Sequence, residues 1–238
     1  MFAIFSLFLM TILPAHALEV DFTDSKQIYS VANFDVFSIS SGMFAGYCKW
    51  DPYFYLTLPE NGFDSTDTNW LCARIYSSEA ADSLDIYYKD TSGEWGLGGN
   101  LPIKKGWATY CFDLRETTWH EGTKKSWGTG NKNIASIRID PGNQANRWIV
   151  VDYLSLVSEP INEIGVFSEP QGTLQDAKVV TAETINAGEP VVAKISGKAN
   201  WPAGLTEATL LCELGGEAAA QAVQIVKIPV TGPEFKTE

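Results

Sequence analysis

Apolar and polar residues alternate along much of this chain with the period of two that sends successive side chains to opposite faces of a β-strand. Leu84, Ile86 and Tyr88 alternate with Asp85, Tyr87 and Lys89, and Asp90-Thr91-Ser92-Gly93 closes the run with turn residues. Tyr53 to Leu58 is a second run, closed by Pro59-Glu60-Asn61-Gly62. Ile134 to Asp140 and Trp148 to Val157 form two more, joined by Pro141-Gly142-Asn143. No amphipathic helical period occurs before residue 200. The alanine-rich stretch Glu217 to Val226 is read as strand, because it runs into the strand-like Val226 to Val230. Short strands punctuated by Gly, Pro and Asn predict an all-β fold, an antiparallel β-sandwich.

One run changes phase. Ile149 and Val151 share one parity, whereas Leu154 and Leu156 share the other. A single extra residue near Asp152-Tyr153, a β-bulge, produces that shift. An acid at such a break points toward a loop or toward a cation, or bonds its own backbone as a turn residue does.

Composition changes after Val157. Seven of the eight Trp precede it, and Ala and Val dominate beyond it. The expected organisation is a leader over 1–17, a first β-domain over 18–157, a linker over 158–162 and a smaller sandwich over 163–238. The leader reading rests on the apolar run Met1 to Leu13 followed by Pro14-Ala15-His16-Ala17, small residues suited to cleavage after Ala17. That run is too short for a resident membrane span, so the chain is expected to be exported, secreted or held at the cell surface. The stretch from residue 163 onward is short for an immunoglobulin-like domain of about 100 residues. The expectation is therefore an N-terminal piece of a longer protein.

Charge removes some partners. With 17 basic and 29 acidic residues the formal net charge is −12, which disfavours nucleic acid and anionic membrane surfaces. A charged fraction of 19% beside 12% aromatics argues against disorder. Export makes the four cysteines readable as disulfides. Leu71, Ala73 and Ile75 set the apolar face around Cys72, and Tyr110, Phe112 and Leu114 set it around Cys111. Both thiols thus leave the aliphatic face and would meet if their strands are neighbours. Cys72–Cys111 is the preferred pair, Cys48 is the rival partner, and Cys212 is expected to be a buried free thiol.

Catalytic motifs are missing from the sequence. It has no GxSxG elbow, Walker loop, HExxH or EF-hand loop, and its only histidines are His16 and His120. The acids are scattered, without an ExDxxE run.

Trp107 to Leu114 (WATYCFDL), Trp127-Gly128, Ile137-Arg138-Ile139-Asp140-Pro141 and Trp148 to Leu156 (WIVVDYLSL) follow one another in that order. This succession resembles the jelly-roll, galactose-binding-like domains that serve as carbohydrate-binding modules in secreted glycan-degrading proteins. The likeness covers about residues 19–157 and is carried mainly by scaffold positions. It implies non-catalytic binding of polysaccharide, with a glycoside hydrolase fused or associated. It further implies a structural Ca2+ held by Glu19, Asp21 and Asp152, related modules using acids of the first and last strands. Sugar binding needs exposed aromatic faces, so Trp95, in the flexible glycine-flanked loop Gly93-Glu94-Trp95-Gly96, and Trp119 together with His120 are the chosen contacts, followed by Trp50. Trp107 and Trp127 belong to the scaffold pattern and are expected in the core. Two alternatives stand beside this reading: a structural or adhesive protein with no sugar site, and a jelly-roll glycosidase or lyase whose two acids converge in an aromatic cleft.

Overall fold

The computed structural model describes residues 18–98, 101–116, 125–128, 132–181, 193–215 and 220–237. The expected leader, Trp119 and His120 lie outside them. The first half holds β1 (Leu18–Val20), β2 (Ile28–Ser40), β3 (Met43–Leu56), β4 (Phe63–Asp64), β5 (Trp70–Ser77), β6 (Ala81–Asp90), β7 (Trp95–Leu97), β8 (Leu101–Ile103) and β9 (Gly106–Asp113). There follow β10 (Lys125–Ser126), β11 (Asn133–Asp140), β12 (Trp148–Val157), β13 (Gly165–Ser168) and β14 (Thr173–Thr181). The last four are β15 (Ala193–Asn200), β16 (Glu207–Gly215), β17 (Ala220–Pro229) and β18 (Glu234–Thr237). Among the described residues the helical content is two single 3-10 turns, and the chain is all-β.

Thirteen strands join one sheet in the order β10-β7-β6-β11-β3-β12-β5-β9-β13, with β1, β2, β4 and β8 attached beside it. It becomes a sandwich because β3 belongs to both layers. Phe54 to Leu56 pair with β11, whereas Phe44 to Tyr47 pair with β12. Between these halves Asp51 takes a positive φ of 55°, facing Asn33 at 60°, and the Asn33 side chain donates to the Asp51 carbonyl at 2.7 Å. Asn and Asp tolerate this left-handed conformation better than other side-chain-bearing residues. The register of β2 slips on both sides of Phe34, whose ring folds over Gly46, where a Cβ would fall 2.4 Å away.

The inward parity of both layers fills one core. Phe54, Ile137, Ile139, Leu84 and Ile86 come from the β3–β11–β6 layer. Ile149, Val151, Leu71, Ile75 and Tyr110 come from the β12–β5–β9 layer. The bulge expected near Asp152 is present: the β12–β5 register slips between Val151 and Tyr153, which returns Leu154 and Leu156 to the core. Cys72 sits directly opposite Cys111, and the two form a disulfide buried with Val157 beside Trp70. Cys48 is a buried free thiol pushed up to about 11 by burial, and Cys212 is free and half-buried.

β13 is the edge strand of this large sheet, pairing Gly165 with Cys111, so the sheet takes up a strand from beyond the linker expected over 158–162. The C-terminal strands form two small sheets, β14-β15-β18 and β16-β17, around Ala199, Ala208, Leu210, Ile228 and Phe235. Glu217 to Ala219 lie outside the described residues, and from Ala220 the stretch expected to be strand is β17.

Candidate functional site

The outward face of the β3–β11–β6 layer is aromatic and polar. Tyr53 and Tyr55 are two residues apart on β3 and alternate with the inward Phe54 and Leu56. Strand register then builds a row across the layer: Arg138 lies opposite Tyr55 on one side and Tyr87 on the other. One step along, Asp140 lies opposite Asp85. One step the other way, Ser136 lies opposite Lys89, and Lys89 opposite Trp95.

Arg138 is the hub. Its Nε donates to Asp140 at 2.7 Å, its Nη2 also bonds Asp140, and Nη2 reaches Asp51 at 3.4 Å. The guanidinium lies 3.8 Å from the Tyr53 ring centroid and 5.1 Å from that of Tyr87, the cation–π geometry that fixes ring and cation together. Tyr55 continues the row, 5.7 Å from Tyr53 and 5.3 Å from Tyr29, whose hydroxyl is 3.4 Å from that of Ser136. Tyr29 is 59% exposed, while Tyr53, Tyr55 and Tyr87 are half-buried.

Beneath the rings are two buried carboxylates. Burial pushes Asp140 up to about 7, against the opposing pull of Arg138. Burial likewise pushes Asp85 up to about 6; Ser83 donates to its Oδ2 at 2.8 Å, and its Oδ1 has no hydrogen-bond partner. Tyr87 is driven to about 12, first by burial and then by those two acids. The result is a preorganised strip of rings with fixed donors and acceptors at its edge. Such a surface can stack the C–H face of a pyranose and exchange hydrogen bonds with its hydroxyls.

Trp95 reaches this face from a strand rather than a loop. It is 39% exposed at the rim, with the Lys89 ammonium 5.8 Å from its ring. The glycine after it serves packing, since a Cβ at Gly96 would lie 2.2 Å from the Tyr88 ring. Trp50 is 71% exposed at the corner, next to Asp51. Trp127 is buried, its indole donating to the Thr68 carbonyl at 2.7 Å. Trp107 is half-buried on the opposite layer, beneath the Arg74 guanidinium at 4.0 Å.

The three acids implied as calcium ligands are engaged separately. Glu19 is exposed opposite Ser155. Asp21 accepts three bonds from Thr23 and Gln27, of which those from Thr23 do most to hold its carboxyl below the usual range. Asp152, at the bulge, faces two cations, Arg74 at 3.0 Å and Lys227 at 3.7 Å. Among the described residues no three His, Cys, Asp or Glu side chains gather at a spacing that could hold a metal ion.

Sequence reasoning passed over Tyr29, Tyr53, Tyr55, Tyr87 and Arg138. The available signal was parity: Tyr53, Tyr55 and Tyr87 occupy the outward phase of strands whose inward phase is already apolar.

No protein-family model and no curated protein matches the chain. Among solved structures it is similar to the agarase AgWH50C, at 14% identity over 65% of this chain and 25% of that one, with a TM-score of 0.42. It is similar to a carbohydrate binding module of family 29, at 10% identity over 60% of this chain and 89% of that one, with a TM-score of 0.41. A third is an exo-beta-agarase, at 15% identity over 66% of this chain and 25% of that one, with a TM-score of 0.41. The chain thus spans about a quarter of the length of either agarase. These likenesses are distant, and function is read from the face's own residues.

Proposed function

We propose that the chain binds carbohydrate without cleaving it, through the tyrosine face of the β3–β11–β6 layer, with Trp95 at its rim. The observation that carries this is the row Tyr29, Tyr55, Tyr53, Arg138 and Tyr87, drawn from four strands and held around one guanidinium. Stacking of this kind gives modest affinity, which suits tethering, because a tether raises local concentration without requiring tight binding. In this reading 1–17 is a leader that exports the chain. The C-terminal strands act as an immunoglobulin-like spacer, and the partner served is a glycoside hydrolase, fused or associated. The ligand is an extended polysaccharide lying along the strip.

The test is a glycan array probed with the full chain and with Arg138→Ala. Binding to a coherent set of polysaccharides, weakened about tenfold or more in a variant of unchanged circular dichroism, supports the proposal. Undiminished binding by that variant moves the site elsewhere, and no binding by the parent chain defeats it. One observation favours a second reading, catalysis: Asp85 and Asp140 are facing acids with raised pKa values on an aromatic face. Both are buried, however, and Arg138 already engages Asp140. Release of reducing ends that Asp85→Asn abolishes would establish catalysis instead.

A further inference from the structure

The other outer face of the sandwich carries a cavity. Val223 and Ile225 of β17 insert against Met43, Ala45, Trp148 and Val150. Ser41 donates to the Ile225 carbonyl at 2.8 Å, and the Ile225 N–H donates to Ser40 Oγ at 3.3 Å, so the β2–β3 turn clasps this strand. On another side the connecting segment is tied down, with the Glu169 N–H donating to the Trp107 carbonyl at 2.8 Å. Between these fastenings the two units do not close, and a cavity of about 570 Å3 remains. That lies within the range of about 300–1,000 Å3 typical of small-molecule sites.

Its lining is informative. Tyr76, Trp107, Trp148 and Trp201 contribute rings, and Gln171 and Thr209 contribute polar groups between them. Among the described residues every lining charge but one is matched. Arg74 donates through Nε and Nη2 to both oxygens of Glu169, at 2.8 to 3.1 Å, and through Nη1 to Asp152 at 3.0 Å; Lys227 takes the other oxygen of Asp152 at 3.7 Å. The unmatched charge is the carboxylate of Glu207. An anionic ligand would find no uncommitted cation, and an apolar one would bury these ion pairs without compensation. A neutral ligand with one C–H face and many hydroxyls suits both halves of the lining, because paired carboxylates retain lone pairs that can accept from O–H groups.

We propose that this seam is a second saccharide site, taking a short neutral sugar and held separately from the tyrosine face. It is formed jointly by the large sandwich and the C-terminal strands, so occupying it also stabilises their union. Neither site depends on the other.

The experiment follows tryptophan indole resonances of the full 15N-labelled chain during titration with glucose, galactose, xylose and their neutral linear tetrasaccharides. Glucuronate serves as the charged control, and Trp107→Phe assigns the Trp107 signal. A saturable Trp107 shift is expected with at least one neutral sugar, retained within about threefold in Tyr53→Ala/Tyr55→Ala. Thr209→Tyr, which fills the cavity, should weaken that shift about tenfold or more while retention on polysaccharide through the tyrosine face is unchanged. The proposal is overturned by a Trp107 signal that no neutral sugar moves, or by a shift that survives Thr209→Tyr. A shift that vanishes with the tyrosine variant assigns the sugar to the outer face alone, and glucuronate binding as tightly as glucose overturns the neutral-ligand assignment.

Discussion

The two outer faces of the large sandwich obey the same strand parity and end differently. The β12–β5–β9 face presents Val150 and Trp148, beside Met43 and Ala45 of β3, and β17 covers them with Val223 and Ile225. The β3–β11–β6 face presents Tyr53, Tyr55, Tyr87 and Arg138, and no other element of the described chain packs on it. Aliphatic surface gains free energy only when covered, whereas a tyrosine satisfies water with its hydroxyl and keeps its ring for a partner. What a sheet does with its second face is thus set by the residues placed in the outward phase.

If one face is a packed interface and the other a standing surface, substitutions should separate them. The largest effect is expected from Ile225→Asp, which sets a carboxylate among Met43, Ala45 and Val150. A loss of about 4 kcal/mol in thermal or urea unfolding is predicted. Early proteolysis after residue 168 would mark the C-terminal strands as having come away. Removing the disulfide by Cys72→Ala/Cys111→Ala should cost about 3 kcal/mol, since it ties β5 to β9 across a separation of 39 residues. On the open face, Tyr53→Ala/Tyr55→Ala should cost about 1 kcal/mol, chiefly the lost contact with Arg138. An unfolding loss there equal to that of Ile225→Asp would erase the distinction between the faces.

The smallest effect concerns pH. Asp85 is raised from 3.8 to about 6, so the folded chain keeps that proton to higher pH than the unfolded chain does. Its contribution to stability is fully present below about pH 4 and is lost as pH rises through 6. Asp85→Asn removes the loss and should gain about 1 kcal/mol over the parent at pH 8, with little difference at pH 4. Equal effects at both pH values would mean that Asp85 is not desolvated beneath the rings.

Much of the frame was legible along the chain. The phase change in Trp148 to Val157 located the bulge, and the apolar parity around Cys72 and Cys111 brought their thiols together. These features are local, because they depend on alternation within one strand or on facing parity in two. The tyrosine face was not legible, because it depends on which strands are neighbours. Tyr55, Arg138 and Tyr87 meet only through the β3–β11–β6 register, and linear order gives no hint of it. Glycine beside Trp95 read as loop flexibility, when its absent side chain is what lets β7 cross the Tyr88 ring. Trp107 read as a core residue, whereas it is half-buried on the outer face beneath Arg74. What the chain could not disclose is that β17 returns, over a hundred residues later, to leave a cavity beside it.

The measurement that bears most directly on the account is affinity electrophoresis of the full chain through gels holding neutral polysaccharides, beside Tyr53→Ala/Tyr55→Ala confirmed folded by its melting curve. The account predicts retardation of the parent by at least one polysaccharide and a loss of about tenfold or more in the variant. Equal retardation of both proteins, or free migration of the parent through every gel, would contradict it.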